Sequence, residues 1–136
     1  MFDKLNHVTL SGVEYPIKCD MLVLEQIQNE YGSVAKFERE IISWEPVLYV
    51  NGDEGLKENG ERKVTPKLPN VKAVNDALFW MITEGMEIEA VKKNEPCKAL
   101  KREELLRCVD VPYMKLANLV HGEFYRCFED PNEETT

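Results

Sequence analysis

The stretch VTLSGVEYPIKCDMLVLEQIQNEYGS, residues 8–33, carries the strongest folding signals of this chain. Its first half alternates apolar and polar residues around Ser11-Gly12, a pair that suits a tight hairpin turn because glycine tolerates positive φ. Its second half begins at Asp20, a helix-capping residue, and ends at Gly32, which favours the left-handed conformation after a helix. The stretch therefore predicts a β-hairpin over residues 5–10 and 13–19, followed by a helix over residues 21–31.

The second predicted strand has one clearly apolar face. Residues 13, 15, 17 and 19 form that face and are expected to be buried, whereas Pro16 falls on the opposite, exposed face. Because proline has no N–H to donate, Pro16 also predicts an edge strand.

Apolar residues at helical spacing predict further helices over residues 34–42, 71–84, 100–109 and 112–128. Ser33 and Asn70 are expected to cap the first two of these helices, and Gly85 is expected to end or bend the longest one. Between them lies segment 44–70, with three glycines and three prolines. There we predict a mobile loop or a marginal hairpin, with residues 47–50 as a strand and Asn51-Gly52 as a turn leading back to residues 63–65.

The resulting fold class is α+β, mostly α: an N-terminal β-hairpin followed by about five helices, with a long irregular or hairpin-like loop at 44–70. Residues 1–128 are expected to form a single domain. Residues 129–136 carry four acids and no base, and are predicted to be an acidic disordered tail.

The formal net charge of −8 argues against nucleic acid or an anionic membrane surface as a partner. The first ten residues lack the continuous apolar run of a signal peptide, and no stretch is long enough to span a bilayer. We therefore expect a cytoplasmic protein.

No motif of catalytic, cofactor-binding or metal-binding chemistry is recognisable, so the sequence predicts a protein that is not an enzyme. The four cysteines show no C-x-x-C spacing, and His7 and His121 lie far apart in the chain. Both histidines are interpreted as ordinary side chains without a chemical role. The cysteines are expected to be reduced and partly buried, with disulfide pairing as the alternative.

Three aromatic residues are candidate partner contacts: Trp44, at the start of the long loop, and Phe79 and Trp80, which widen the apolar face of the central helix. If their rings are exposed they indicate an interface. The alternative for each of them is burial in the core. For Tyr31, Phe37, Phe124 and Phe128 the two alternatives are the lining of a pocket and the core, and their helical spacing favours the core.

The order of these signals resembles the opening of the tail assembly chaperones of long-tailed phages and of prophages in Gram-positive bacteria. The residues that carry the resemblance are 8–10, the turn Ser11-Gly12, Tyr15-Pro16, Asp20-Met21, and Tyr31-Gly32-Ser33. The later stretches NDALFWMITEGMEIE and FEDPNEE are similar to family members as well. The detailed match covers roughly a third of the chain, and it consists of folding signals rather than site chemistry.

The resemblance implies a non-enzymatic protein that binds the tape measure protein of a phage and keeps it soluble in the host cytoplasm while the tail tube assembles. It further implies the tail tube protein as a second possible partner, reached through a frameshifted, C-terminally extended form. Self-association into a homo-oligomer is left open. The alternative function is a small acidic adaptor or regulator of bacterial or prophage origin, and a third class is an enzyme that combines His121 or Cys127 with a carboxylate.

Overall fold

The structure is a computed structural model, and it describes residues 4–47, 55, 56, 60 and 63–129. Over these residues the fold is α+β and mostly helical, with an N-terminal hairpin and five helices, which confirms the predicted fold class. The elements in chain order are β1 (Asn6–Leu10), β2 (Val13–Ile17), α1 (Met21–Tyr31), α2 (Val34–Ile41), β3 (Trp44–Pro46), β4 (Val64–Pro66), α3 (Val71–Lys93), α4 (Arg102–Arg107) and α5 (Tyr113–Arg126).

The N-terminal hairpin forms where the sequence predicts it. β1 and β2 pair antiparallel with Leu10 opposite Val13, and the two turn residues, Ser11 and Gly12, have φ values of 48° and 79°. Positive φ at both central positions is the geometry that matches the twist of a two-residue hairpin. Among the described residues the sheet consists of these two strands, so β2 is an edge strand, as Pro16 predicts.

The caps of α1 and α2 also agree with the sequence. The Asp20 carboxylate accepts from the backbone N–H groups of Leu22 and Val23, and Gly32 ends α1 with a φ of 86°. Ser33 then accepts from the Lys36 N–H and begins α2. Because one helix ends and the next begins within two residues, α1 and α2 turn sharply and pack on each other.

The longest helix, α3, extends further than predicted. Gly85 does not end it, and the helix continues to Lys93, where Asn94 in the left-handed conformation closes it. Gly85 instead lies where β2 crosses the helix, with the Lys18 N–H donating to the Met81 carbonyl at 3.0 Å beside it. The glycine is therefore required by close packing rather than by a helix end.

This crossing also corrects the predicted faces of β2. Pro16 is buried against α3 rather than exposed, whereas Val13 is 51% exposed. Burial increases along the strand toward Ile17, the end that α3 covers. The predicted burial is confirmed for Ile17 and for Cys19, which lies just after the strand.

One hydrophobic core joins the hairpin to all the helices, with α3 at its centre. Val71, at the start of α3, is exposed. The largest side chains that are fully buried are Phe37, Phe124, Leu10, Ile17, Ile27, Ile41, Leu78, Met81, Ile82 and Leu105.

The long segment after α2 contains a short hairpin, and its second strand, β4, lies within one residue of the predicted return at 63–65. β3 begins at Trp44, before the expected strand at 47–50, and pairs antiparallel with β4. Residues 48–50, the turn Asn51-Gly52 and residues 130–136 of the predicted tail lie outside the described residues.

Candidate functional site

The three predicted partner contacts lie in two different environments. Phe79 and Trp80 are half-buried on α3 and pack against the core, and the Trp80 ring meets Tyr31 edge-on with 6.4 Å between centroids. Trp44, on β3, is 39% exposed. Trp44 therefore lies on an exposed β-ribbon, whereas Phe79 and Trp80 pack against the edge of the helical core.

The ribbon of β3 and β4 has one apolar face. Trp44 pairs with Pro66, and Pro46 pairs with Val64, so these four residues lie on one side, while the pair Glu45 and Thr65 lies on the other. We call the four residues the ribbon face. Trp44, Val64 and Pro66 are exposed, so the ribbon face is an apolar surface without a covering element among the described residues.

A second apolar surface is an open groove between α2 and α5, with a volume of about 250 Å³. We call it the α2–α5 groove. Its lining residues are Val34, Ala35, Glu38, Phe124, Tyr125 and Phe128.

Aromatic packing builds the floor and one wall of the α2–α5 groove. Phe37 and Phe124 are buried and pack with ring centroids 5.4 Å apart, and Phe128 meets Phe124 edge-on at 5.2 Å. Tyr125 and Phe128 are each 55% exposed. The predicted burial of Phe128 is therefore wrong: α5 ends at Arg126, so Phe128 leaves the helical stripe and remains at the surface.

The rim of the groove carries a histidine–carboxylate pair. His121 Nε2 lies 3.2 Å from Glu38 Oε2, and the imidazole ring stacks on Phe124 with 6.3 Å between centroids. The interpretation of His121 as an ordinary surface residue missed this contact because Glu38 is on another helix. Within the described part of the chain, neither a serine nor a cysteine shares a hydrogen bond with His121.

A polar cleft of about 370 Å³ lies on another side of α5, next to the N-terminal hairpin. Its central group is Glu123, which is 4% exposed. The carboxylate accepts from Asn6 Nδ2 at 2.9 Å and from Arg126 Nη1 at 3.0 Å. His7, at the edge of the cleft, lies 3.7 Å from Glu89. Arg126 Nη1 also donates to the other oxygen of Glu123, Oε1, at 3.2 Å. Both carboxylate oxygens are thus hydrogen-bonded, and the buried Glu123 ties α5 to β1.

The second buried carboxylate, Asp76 on α3, joins three helices. It accepts from Tyr31 at 2.7 Å, from Lys72 at 2.8 Å and from Arg102 at 2.9 Å. Burial opposes ionisation, but these three donors outweigh it and lower the pKa of Asp76 below its usual range. The arrangement holds α1 and α4 against α3 and leaves no free carboxylate oxygen for chemistry.

A third carboxylate has the opposite shift. Glu84, on α3, faces the capping Asp20, and burial together with a hydrogen bond and repulsion from Asp20 raises the pKa of Glu84 to about 8. The Glu84 carboxyl is therefore largely protonated at neutral pH. It lies outside both the α2–α5 groove and the polar cleft.

The cysteines are all free thiols. Burial raises the pKa of Cys19, and its neighbour Cys127 raises it further, so the reactive thiolate form is disfavoured there. Over the described ranges, no three His, Cys, Asp or Glu side chains are grouped so that they could hold a metal ion. None of the helices described combines the length and apolar character needed to cross a membrane.

Comparison with family models, with curated proteins and with solved structures gives no significant match to this chain. Tyr125, Glu38 and Val34 were not among the predicted site residues. A signal was present in the run FYRCF, where aromatic residues at 124, 125 and 128 cover more of the helix surface than one core-facing stripe requires.

Proposed function

We propose that this protein is a non-enzymatic phage tail assembly chaperone, which binds the tape measure protein and keeps it soluble while the tail tube assembles. The observation that carries the proposal is the α2–α5 groove, where the exposed rings of Tyr125 and Phe128 stand beside an apolar pocket. Exposed aromatic side chains around a pocket are typical of a protein-binding surface.

The physical task of such a chaperone fits this surface. A long helical protein exposes apolar stripes before its own partners cover them, and an amphipathic helix is commonly bound with its apolar face in a groove. The net charge of −8 keeps the complex soluble through repulsion between copies. The first third of the chain supports the proposal through its family resemblance, which the structural comparisons neither strengthen nor weaken.

The proposal includes the host cytoplasm as compartment and the tail tube protein as a second partner. The ribbon face, with Trp44 at its edge, offers a separate apolar surface for that partner or for a second copy of this chain. Nucleic acid and membranes are not proposed as partners because the acidic charge disfavours both.

The first test is the DNA sequence beyond the codon for Thr136. An overlapping frame reachable by a ribosomal slip, followed by a long gene with helical periodicity, supports the proposal. Unrelated regulatory genes without an overlapping frame would transfer support to the adaptor function.

The second test is co-expression of the full chain with the long helical protein encoded beside it. We expect the wild-type chain to keep that protein in the soluble fraction and to co-purify with it, and we expect Phe128→Ser to lose both effects. Val91→Ser is the matched control, since Val91 is also an exposed apolar helix residue, 63% exposed, but does not line the groove. Equal behaviour of the two variants, or an insoluble partner with the wild-type chain, would contradict the proposal.

A further inference from the structure

The size and lining of the α2–α5 groove restrict what it can hold. Its volume of about 250 Å³ is below the range of roughly 300–1,000 Å³ that is usual for small-molecule sites. Five of its six lining residues are apolar or aromatic, and the groove is open to solvent. It therefore suits a large apolar side chain presented by another protein better than an enclosed metabolite.

The charge at the groove is negative. Glu38 is the one charged residue in its lining, and its side chain is 40% exposed, so a partner can reach the carboxylate. The contact with His121 uses Oε2 of Glu38, and a carboxylate can accept more than one hydrogen bond. The chain also continues from Phe128 directly into Glu129 and Asp130, which adds acidic residues close in sequence to the aromatic wall.

We propose that the α2–α5 groove binds an amphipathic helix whose apolar anchor enters the pocket and whose adjacent polar residue is Lys or Arg, paired with Glu38. This inference rests on the proposed function, because both assign partner binding to the α2–α5 groove. It adds the chemistry of the helix that the groove binds. On a helix, residues three or four positions apart lie about 5–6 Å from each other on one face, so an anchor and a cation one turn away can reach the pocket and its rim together. A helix with an acidic residue at that position meets repulsion from Glu38 instead.

The test uses synthetic helical peptides rather than an unidentified partner. Three peptides share one amphipathic sequence of Leu and Ala, and carry Lys, Gln or Glu at every polar position. Binding to the full chain is measured by fluorescence anisotropy at two salt concentrations. We expect the Lys peptide to bind most tightly and the Glu peptide most weakly, with the difference reduced at high salt.

Two pairs of variants separate the groove from the overall charge. Glu38→Gln should weaken the affinity for the Lys peptide about five-fold and leave the affinity for the Gln peptide unchanged. Glu25→Gln makes the same change of net charge on the exposed side of α1, and it should leave both affinities unchanged. Phe128→Ser should weaken all peptides about ten-fold, and Val91→Ser should weaken none. Unchanged melting temperatures show that each variant is folded.

Equal effects of Glu38→Gln and Glu25→Gln would overturn the inference, because the preference would then come from net charge alone. Full binding by Phe128→Ser, or no binding of any peptide by the wild-type chain, would overturn it as well. The proposed function can fail while this inference holds. If the helical protein encoded beside this chain does not co-purify with it, but Lys-peptide binding depends on Glu38, the chaperone proposal is wrong and the preference for a basic helix stands.

Discussion

A Cβ atom added to Gly85 of α3 would lie 2.5 Å from the carbonyl oxygen of Pro16 in β2. The carbonyl carbon of Pro16 and the nitrogen of Ile17 would be 2.6 and 2.8 Å away, so the atoms in conflict all belong to the backbone. Neither the strand nor the helix can relieve such a clash by rotating a side chain. This contact sets how closely the N-terminal hairpin approaches the central helix.

Gly85→Ala is expected to destabilise the protein by about 2 kcal/mol, because the forced separation of β2 from α3 outweighs the better helix propensity of alanine. Gly122→Ala, in α5, is the matched control, since a Cβ there meets nothing within 4 Å. It is expected to stabilise by about 0.5–1 kcal/mol. Urea unfolding of both variants measures the difference, and equal stability of the two would show that the close approach is not required.

Glu84→Gln is expected to change how stability depends on pH. The folded protein holds the Glu84 proton up to a pKa of about 8, and the usual value in an unfolded chain is 4.5. The unfolded chain therefore releases that proton first, and stability falls as the pH rises between these values. Because the group is partly solvated, we expect the variant to gain about 1 kcal/mol relative to wild type at pH 8 and little at pH 4.5.

The measurement for Glu84 is the melting temperature across that pH range, with Glu25→Gln as the control that makes the same substitution at an exposed position. Asp76 acts in a different range: its lowered pKa means that its contribution is lost only as the pH falls below the usual aspartate value of 3.8. Parallel pH profiles for wild type and Glu84→Gln would contradict the raised pKa of Glu84.

Asp76→Asn is expected to cost about 2 kcal/mol, because it weakens three charge-assisted hydrogen bonds at a buried position where α1, α3 and α4 meet. Lys72 and Arg102 can still reach water, which limits the loss. Glu30→Gln removes the other, exposed partner of Lys72 and should cost less than about 0.5 kcal/mol. Chemical denaturation of both variants tests this, and comparable losses would show that burial does not decide the strength of the network.

The two tryptophans are expected to respond differently to substitution. Trp80→Ala should cost about 2 kcal/mol because the ring is half-buried and packs on Tyr31. Trp44→Ala, on the exposed ribbon face, should cost less than about 0.5 kcal/mol. If the ribbon face is an interface, only Trp44→Ala loses partner binding while its melting temperature stays that of wild type.

Fluorescence gives an independent check, since these are the two tryptophans of the chain. In Trp44→Phe the remaining emission comes from Trp80 and should be blue-shifted, whereas in Trp80→Phe it comes from Trp44 and should be red-shifted and readily quenched by iodide. If Trp44 instead gave the blue-shifted emission and Trp80 the red-shifted emission, Trp44 would be the core residue and Trp80 the surface residue.

The local structure of this protein follows from residues that lie close together in the chain. Ser11-Gly12 required a tight turn, and Asp20 with Gly32 set both ends of α1, because capping and positive φ depend on residues adjacent in the chain. The fold class followed from the order of these signals.

Which surfaces face each other depends instead on how the elements pack in the whole fold. The burial of Pro16, the continuation of α3 through Gly85 and the exposure of Phe128 depend on elements that are distant in sequence. The groove itself joins Val34 and Glu38 on α2 to Tyr125 on α5, and the Glu38–His121 contact spans 83 residues. Periodicity shows which side of a helix is apolar, but whether another element covers that side depends on packing, and the uncovered side is where this protein offers its candidate site.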